Sequence, residues 1–280
     1  MKKLLTTILA CVIVVAGCFG LTACGKPTGD TVVNPRTKNI VVGYTKYEPM
    51  NYYEDGILKG FDTELAIMTF EALGYNVKFE LIKWENKYVD LNEGRIDCIW
   101  NGFTANGSDD GQARNTLVSF SAYYMQNAQC IVRLNSTPEV DSREDFAGKT
   151  ISFEEGSSGD SLANSYKDNG TEETTDDINI LNTGCADQMA AITAVKNGMS
   201  EYAIVDILLA EKLILQPDYS DLVINEGLEI GVEYYAVGFR KTEPELAEKV
   251  NVMFKAFAET GVLQALAQKY GLETSVLTNF

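Results

Sequence analysis

Three short stretches carry side chains that could hold a small charged molecule. The first is Asn101-Gly102-Phe103-Thr104, with Arg114 following. It offers an amide, a hydroxyl, a glycine that lets backbone approach closely, and a guanidinium fork suited to a carboxylate. The second is Glu155-Gly156-Ser157-Ser158-Gly159-Asp160. Small residues opening a helix leave N–H groups that attract an anion, and Ser158 acting as a plain helix cap is the competing reading. The third is Asp206, closing the apolar run Tyr202-Ala203-Ile204-Val205. A carboxylate there either caps a helix over 207–213 or awaits a cationic group, because burial without a partner is costly. Together the three amount to an anion clamp plus one acid for an ammonium. That set suits the two charges of an α-amino acid zwitterion.

Other chemistry is excluded. The sequence has no histidine, which removes Ser-His-Asp and Cys-His catalysis and most zinc hydrolase sites. Of six cysteines, Cys11, Cys18 and Cys24 belong to the N-terminal segment. Cys98, Cys130 and Cys185 remain, widely spaced and odd in number, so they read as small apolar filler rather than a disulfide framework or metal cluster. No metal and no cofactor is expected. With 40 acidic against 23 basic residues the surface is strongly acidic, which argues against nucleic acid as a partner.

The elements that must position these residues alternate in type. Strands are expected over 39–43, 77–81, 96–100, 150–153, 178–181 and 202–206. Helices are expected over 61–73, 87–92, 160–166 and 186–196. Phe61, Leu65, Met68 and Ala72 fall on one helical face, and Gly74 stops that helix. Such alternation predicts parallel sheets flanked by helices. Two extended runs, 129–134 and 234–240, separate the halves. After the second, Thr242-Glu243-Pro244-Glu245 reads as a capping box opening a helix that carries Leu246, Val250, Met253 and Phe257. The expected fold class is therefore α/β, with two lobes, each a mainly parallel sheet flanked by helices, joined by two hinge strands. Lobe one takes 39–132 and 232–280, lobe two 136–228, and the hinges lie near 131–135 and 228–233. The ligand belongs in the cleft between the lobes, beyond the carboxyl ends of the strands.

The N-terminus sets the compartment. Lys2-Lys3, an apolar stretch from Leu4 to Gly17, and Leu21-Thr22-Ala23-Cys24 have the anatomy of a signal peptide. The apolar run is short for a membrane-spanning helix. Leu21 to Cys24 resembles a bacterial lipobox, as does Val15-Ala16-Gly17-Cys18. Cys24 is favoured for lipidation because the polar tether over 24–38 follows it. Cleavage before Cys24 removes Lys2 and Lys3 and no acid, which makes the mature chain more acidic still.

The ordered series Val42-Gly43, Pro49-Met50, Gly60-Phe61-Asp62, Gly94-Arg95-Ile96-Asp97, Asn101 to Thr104, Phe120 to Tyr124, Gly156-Ser157-Ser158 and Ala203 to Asp206 is similar to that of the polar amino acid-binding proteins of ABC importers. The resemblance covers about 39–272 and implies a periplasmic binding protein-like fold. It further implies that Thr104 and Arg114 hold the α-carboxylate from lobe one, with Ser157, Ser158 and nearby N–H groups completing the clamp from lobe two. Asp206 and the Asn101/Gly102 segment would take the α-ammonium. Tyr47 would pack on the ligand, and Tyr44 or Trp84 would line the side-chain pocket. In that family the arginine usually follows the threonine more closely, whereas the acidic stretch 105–113 intervenes here. The implied partners are an amino acid, the permease subunits and the membrane, through the N-terminal lipid; the implied protein is a monomer at the extracytoplasmic face. Two rival readings are an enzyme of the same fold, dehydratase or lytic transglycosylase-like, using Glu48, Glu154 or Glu155, and an amino acid-sensing domain.

Overall fold

The computed structural model describes residues 38–167, 180–228 and 230–280. The expected signal peptide, Cys24 and the expected tether up to residue 37 lie outside the described residues. The first half begins with strand β1 (Lys38–Tyr44), a hairpin of β2 (Tyr52–Glu54) and β3 (Ile57–Lys59), helix α1 (Phe61–Ala72) and β4 (Tyr75–Leu81). Helix α2 (Lys87–Asn92) leads to β5 (Cys98–Ile99), a second hairpin of β6 (Ser108–Asp109) and β7 (Gln112–Ala113), the single turn α3 (Arg114–Leu117) and β8 (Ser119–Phe120). The long β9 (Met125–Leu134) then crosses to the second half, with β10 (Thr150–Glu154), α4 (Ser158–Lys167), β11 (Leu181–Cys185) and α5 (Gln188–Lys196). There follow β12 (Tyr202–Asp206), α6 (Ile207–Leu213), β13 (Leu222–Ile224), β14 (Val232–Tyr235), β15 (Gly238–Phe239), α7 (Pro244–Glu259) and α8 (Val262–Tyr270).

Two sheets result, and each has a parallel three-strand centre. The first runs β4-β1-β5-β15-β8, with β1 parallel to β4 and β5 and β15 antiparallel to its neighbours. The second runs β11-β10-β12-β9-β13, with β10 parallel to β11 and β12, and β9 antiparallel to β12 and β13 and also to β14. In both sheets the antiparallel strands belong to segments that pass between the lobes. The parallel centres follow from sequence: Ile40 and Val42 of β1 and Ala203 and Val205 of β12 are buried, and Leu65, Ala66 and Phe70 of α1 close over the first sheet. Strands β9 and β14 pair over Met125–Ala128 and Val232–Tyr235, so the passage between lobes is a two-stranded ribbon.

Two expectations shift. The strand expected over 178–181 forms as Leu181–Cys185, in parallel register with β10 from Thr150↔Leu181 to Glu154↔Cys185; residues 178 and 179 lie outside the described residues. Backbone pairing, not apolar side chains, makes Asn182-Thr183-Gly184 extended. The capping box at Thr242 does not form. Pro244 opens α7 and Glu243 occupies the cap position without a side-chain cap bond. Its carboxylate accepts instead from Arg240 Nε at 2.9 Å.

Candidate functional site

The carboxyl ends of β5, β10 and β12 point into the gap between the lobes, and the segments following them build its walls. On the lobe-one side, Asn101 is held on every side: its Nδ2 donates to Thr45 O (3.0 Å) and Asn51 Oδ1 (2.7 Å), and its Oδ1 accepts from the Thr45 hydroxyl at 2.7 Å. Gly102 has φ of 57° and donates its N–H to Asp62 Oδ2 at 2.7 Å. A Cβ there would sit 2.6 Å from the Tyr47 ring, so glycine is required both by conformation and by space. The Thr104 hydroxyl donates to Glu233 Oε2 at 3.1 Å.

Arg114 opens α3 and is fully buried, stacked over Phe103 at 5.4 Å. Its Nε and Nη2 both donate to Asp109 Oδ1, at 3.0 and 2.7 Å, and Nη1 donates to Thr104 O and to the Ser158 hydroxyl, each at 3.1 Å. Asp109 sits on the β6–β7 hairpin, inside the acidic stretch that separates Thr104 from Arg114. It also accepts from Tyr88 Oη at 2.5 Å and lies 3.4 Å from Lys87 Nζ. Burial drives the Lys87 ammonium down to about 8, with Asp109 opposing that shift.

On the lobe-two side, Ser157 is the cap of α4, since its hydroxyl accepts from Asp160 N at 3.2 Å. Ser158 is thereby released to face the cleft and meet Arg114, so its reading as a plain cap is corrected. Asp206 precedes α6 but makes no side-chain cap bond, which corrects the capping alternative there too. Its Oδ1 accepts from Asn127 Nδ2 and Gln129 Nε2, both at 2.6 Å, and its Oδ2 accepts from Gln188 Nε2. The same two amides of β9 also reach Glu233 Oε2 at 3.0 Å. Burial, and next the charge of Glu233, lift the Asp206 carboxyl to about 7.

These groups line a pocket between the lobes whose free space, its open mouth included, is about 290 Å³. Eight of the ten residues anticipated as ligand-binding line it: Trp84, Asn101, Gly102, Thr104, Arg114, Ser157, Ser158 and Asp206. Tyr44 and Tyr47 do not. Tyr44 turns to Tyr53, hydroxyl to hydroxyl at 3.0 Å. Tyr47 lies behind Gly102 with its hydroxyl 2.8 Å from that of Tyr235. Three further residues complete the lining: Gln129, Glu154 and Gln188. Glu154 carries the same signal as Asp206, an acid at the tip of an apolar strand, whereas nothing local marks either glutamine. The lobes also touch directly, through Arg114–Ser158, Lys87 Nζ to Gly156 O at 2.8 Å and Ser161 Oγ to Ser108 O at 3.0 Å. Among the described residues no cluster of His, Cys, Asp and Glu could hold a metal ion. Cys98 and Cys130 are buried free thiols, raised well above their usual range by desolvation.

An anion-holding end and a buried acid facing each other across two lobes invite comparison with binding proteins. Residues 40–273 match the bacterial extracellular solute-binding proteins, family 3. The chain belongs to this family. It is 26% identical over 277 residues to the arginine-binding extracellular protein ArtP of Bacillus subtilis, a likeness spanning 96% of this chain and 98% of the relative. It is 24% identical over 226 residues to the L-cystine-binding protein TcyJ of Escherichia coli strain K12, covering 80% and 79% of the two chains. An ABC uptake transporter substrate-binding protein from Streptococcus pneumoniae, solved with bound histidine, shares 29% identity at a TM-score of 0.70, over 87% of this chain and 97% of that one. As a family 3 member, the chain is an extracytoplasmic substrate-binding protein of the amino acid ABC importer type, with two α/β lobes.

Proposed function

We propose that this protein captures an L-amino acid by closing its two lobes and presents the closed form to an ABC permease. The observation that carries this reading is the Arg114 Nη1–Ser158 hydrogen bond across a cavity that also holds Asp206. Donors of both lobes meet at one end, where Arg114, the Ser158 hydroxyl and the first N–H groups of α4 would bind the α-carboxylate. Asp206 would accept the α-ammonium, with Asn127, Gln129 and Gln188 orienting its carboxylate. The Asn101 side chain and the Gly102 N–H support that wall with groups already engaged by Thr45, Asn51 and Asp62, so they act as scaffold rather than as partners of the ammonium. A ligand that touches both walls binds the closed state better than the open one, and the β9–β14 ribbon is the segment on which the lobes would turn.

Binding without turnover is the role proposed, in keeping with the transport binding proteins of the family. Lipidation at Cys24 would hold the protein at the membrane, and Cys24→Ser would release it into the medium.

The test is a thermal-shift screen with the twenty L-amino acids and cystine. A ligand at 100 times its dissociation constant adds about 2.7 kcal/mol, which for a chain of this size raises Tm by at least about 5 °C. Asp206→Ala should abolish the shift of the best ligand while the ligand-free protein stays folded. A retained shift in that variant would place the ammonium elsewhere, and no shift with any of these compounds would sink the capture reading.

A further inference from the structure

One buried acid in the cleft has no part in holding a zwitterion. Glu154 ends β10 as Asp206 ends the neighbouring parallel strand β12. It is 3% exposed, lines the cavity, and its Oε1 has no hydrogen-bond partner. The Thr45 hydroxyl lies beside it, but that hydroxyl's proton is directed to Asn101 Oδ1. Lys87 acts on Glu154 only through space: its Nζ donates to Gly156 O and pairs with Asp109, and among the described residues no ion pair reaches Glu154. Asp206 and Asp187 face it with like charge. Burial, then these two acids, lift its carboxyl to about 8.

With its carboxyls ionised, the cavity is unbalanced in charge in one direction. Arg114, the cation of its lining, already shares Asp109 with the buried Lys87. Glu154, Asp206 and Glu233 remain, and the amides of Asn127 and Gln129 that bridge Asp206 to Glu233 carry no charge. A zwitterionic ligand leaves that imbalance as it is. A neutral side chain would bury Glu154 Oε1 against carbon, and an acidic one would add repulsion.

We propose that Glu154 is the acceptor for a second cationic group on the ligand, so that the cleft selects amino acids bearing an ammonium or guanidinium side chain. The inference rests on the capture reading and adds the charge class to it. Asp206 then takes the α-ammonium and Glu154 the side-chain cation, and Trp84, which lines the same cavity, would pack on the stem. A buried carboxylate gains its full Coulombic value only against a partner that is also shielded from water. A cation carried in by the ligand and enclosed by closure meets that condition.

The experiment is calorimetric titration of the purified protein with L-arginine, L-ornithine and L-citrulline, the last being a neutral near-isostere of arginine. Arginine or ornithine should bind at least about tenfold tighter than citrulline, a difference of about 1.4 kcal/mol. In Glu154→Gln that preference should collapse toward unity. The wild-type ratio tests the proposal even if the variant folds poorly. Equal affinity for arginine and citrulline in the wild type, or a preference that survives in Glu154→Gln, overturns the assignment to Glu154 and leaves amino acid capture standing. No binding by any amino acid removes both.

Discussion

Arg114 and Lys87 are both buried to 2% exposure, and both lean on the single carboxylate of Asp109. Burial works against that carboxylate, yet Arg114 and Lys87 hold it below its usual range. The short loop that would place the arginine close behind the threonine is replaced here by a hairpin whose acid neutralises the cations it orients. Removing one partner of a buried ion pair leaves the other charge uncompensated, at a cost of about 3–5 kcal/mol. Asp109→Asn is therefore expected to lower the urea midpoint by an amount equivalent to about 3 kcal/mol. Adding Lys87→Met should recover part of the loss, because it deletes one of the stranded charges. A double variant no more stable than Asp109→Asn, or a single variant as stable as the wild type, would show that Asp109 is a solvated surface acid.

At the scale of elements, the turn from β5 into the cleft is set by one backbone conformation. Gly102 combines φ of 57° with a would-be Cβ 2.6 Å from Tyr47 Cε1 and 3.1 Å from Tyr235. Both rings are buried and joined through their hydroxyls, so neither yields readily. Gly102→Ala should cost about 2 kcal/mol through the left-handed conformation and overpacking, read as a shift in urea midpoint, and should weaken ligand binding by displacing Thr104. An unchanged midpoint would mean that the rings move aside. This turn also marks how far the sequence was readable. The alternation of β1, α1, β4, β10, β12 and α7 follows from local apolar periodicity, and the convergence of Thr104, Ser158 and Asp206 follows from all three lying beyond the ends of parallel strands. What was not readable depends on partners distant in sequence. Tyr47 looked available to a ligand because Tyr235, 188 positions away, is what claims its hydroxyl. Gln129 and Gln188 meet Asp206 from other elements altogether. The roles of Ser157 and Ser158 hinge on where α4 begins, a matter of one residue that composition does not resolve.

For the whole molecule, three buried carboxyls set the response to pH. Asp62 and Asp206 are lifted to about 7 and Glu154 to about 8, in each case chiefly by burial. A carboxyl whose folded-state pKa lies above its unfolded value keeps its proton in the fold after the unfolded chain has lost it. Stability of the ligand-free protein therefore falls as pH rises from about 4.5 through 8. All three act in the same direction, each unit of elevation corresponding to about 1.4 kcal/mol. Asp109 and Asp145, which are held low, act in the opposite sense only below their unfolded values near 4. Lys87, depressed to about 8, stays charged through the window and alters the slope only at its alkaline end. Ligand-free Tm is thus expected to be higher at pH 5.5 than at pH 8 by at least about 5 °C. Affinity should run the other way: a cationic ligand needs Asp206 and Glu154 ionised, and between pH 8 and 6 each retained proton must be displaced, weakening binding by up to about tenfold per unit for each group. Scanning calorimetry of the free protein and titration with L-arginine at pH 5.5, 6.5 and 8 measure both trends. If the free protein is most stable at pH 8, the three acids are ionised and compensated within the fold. If affinity does not change with pH, no protons leave the cleft when the ligand enters.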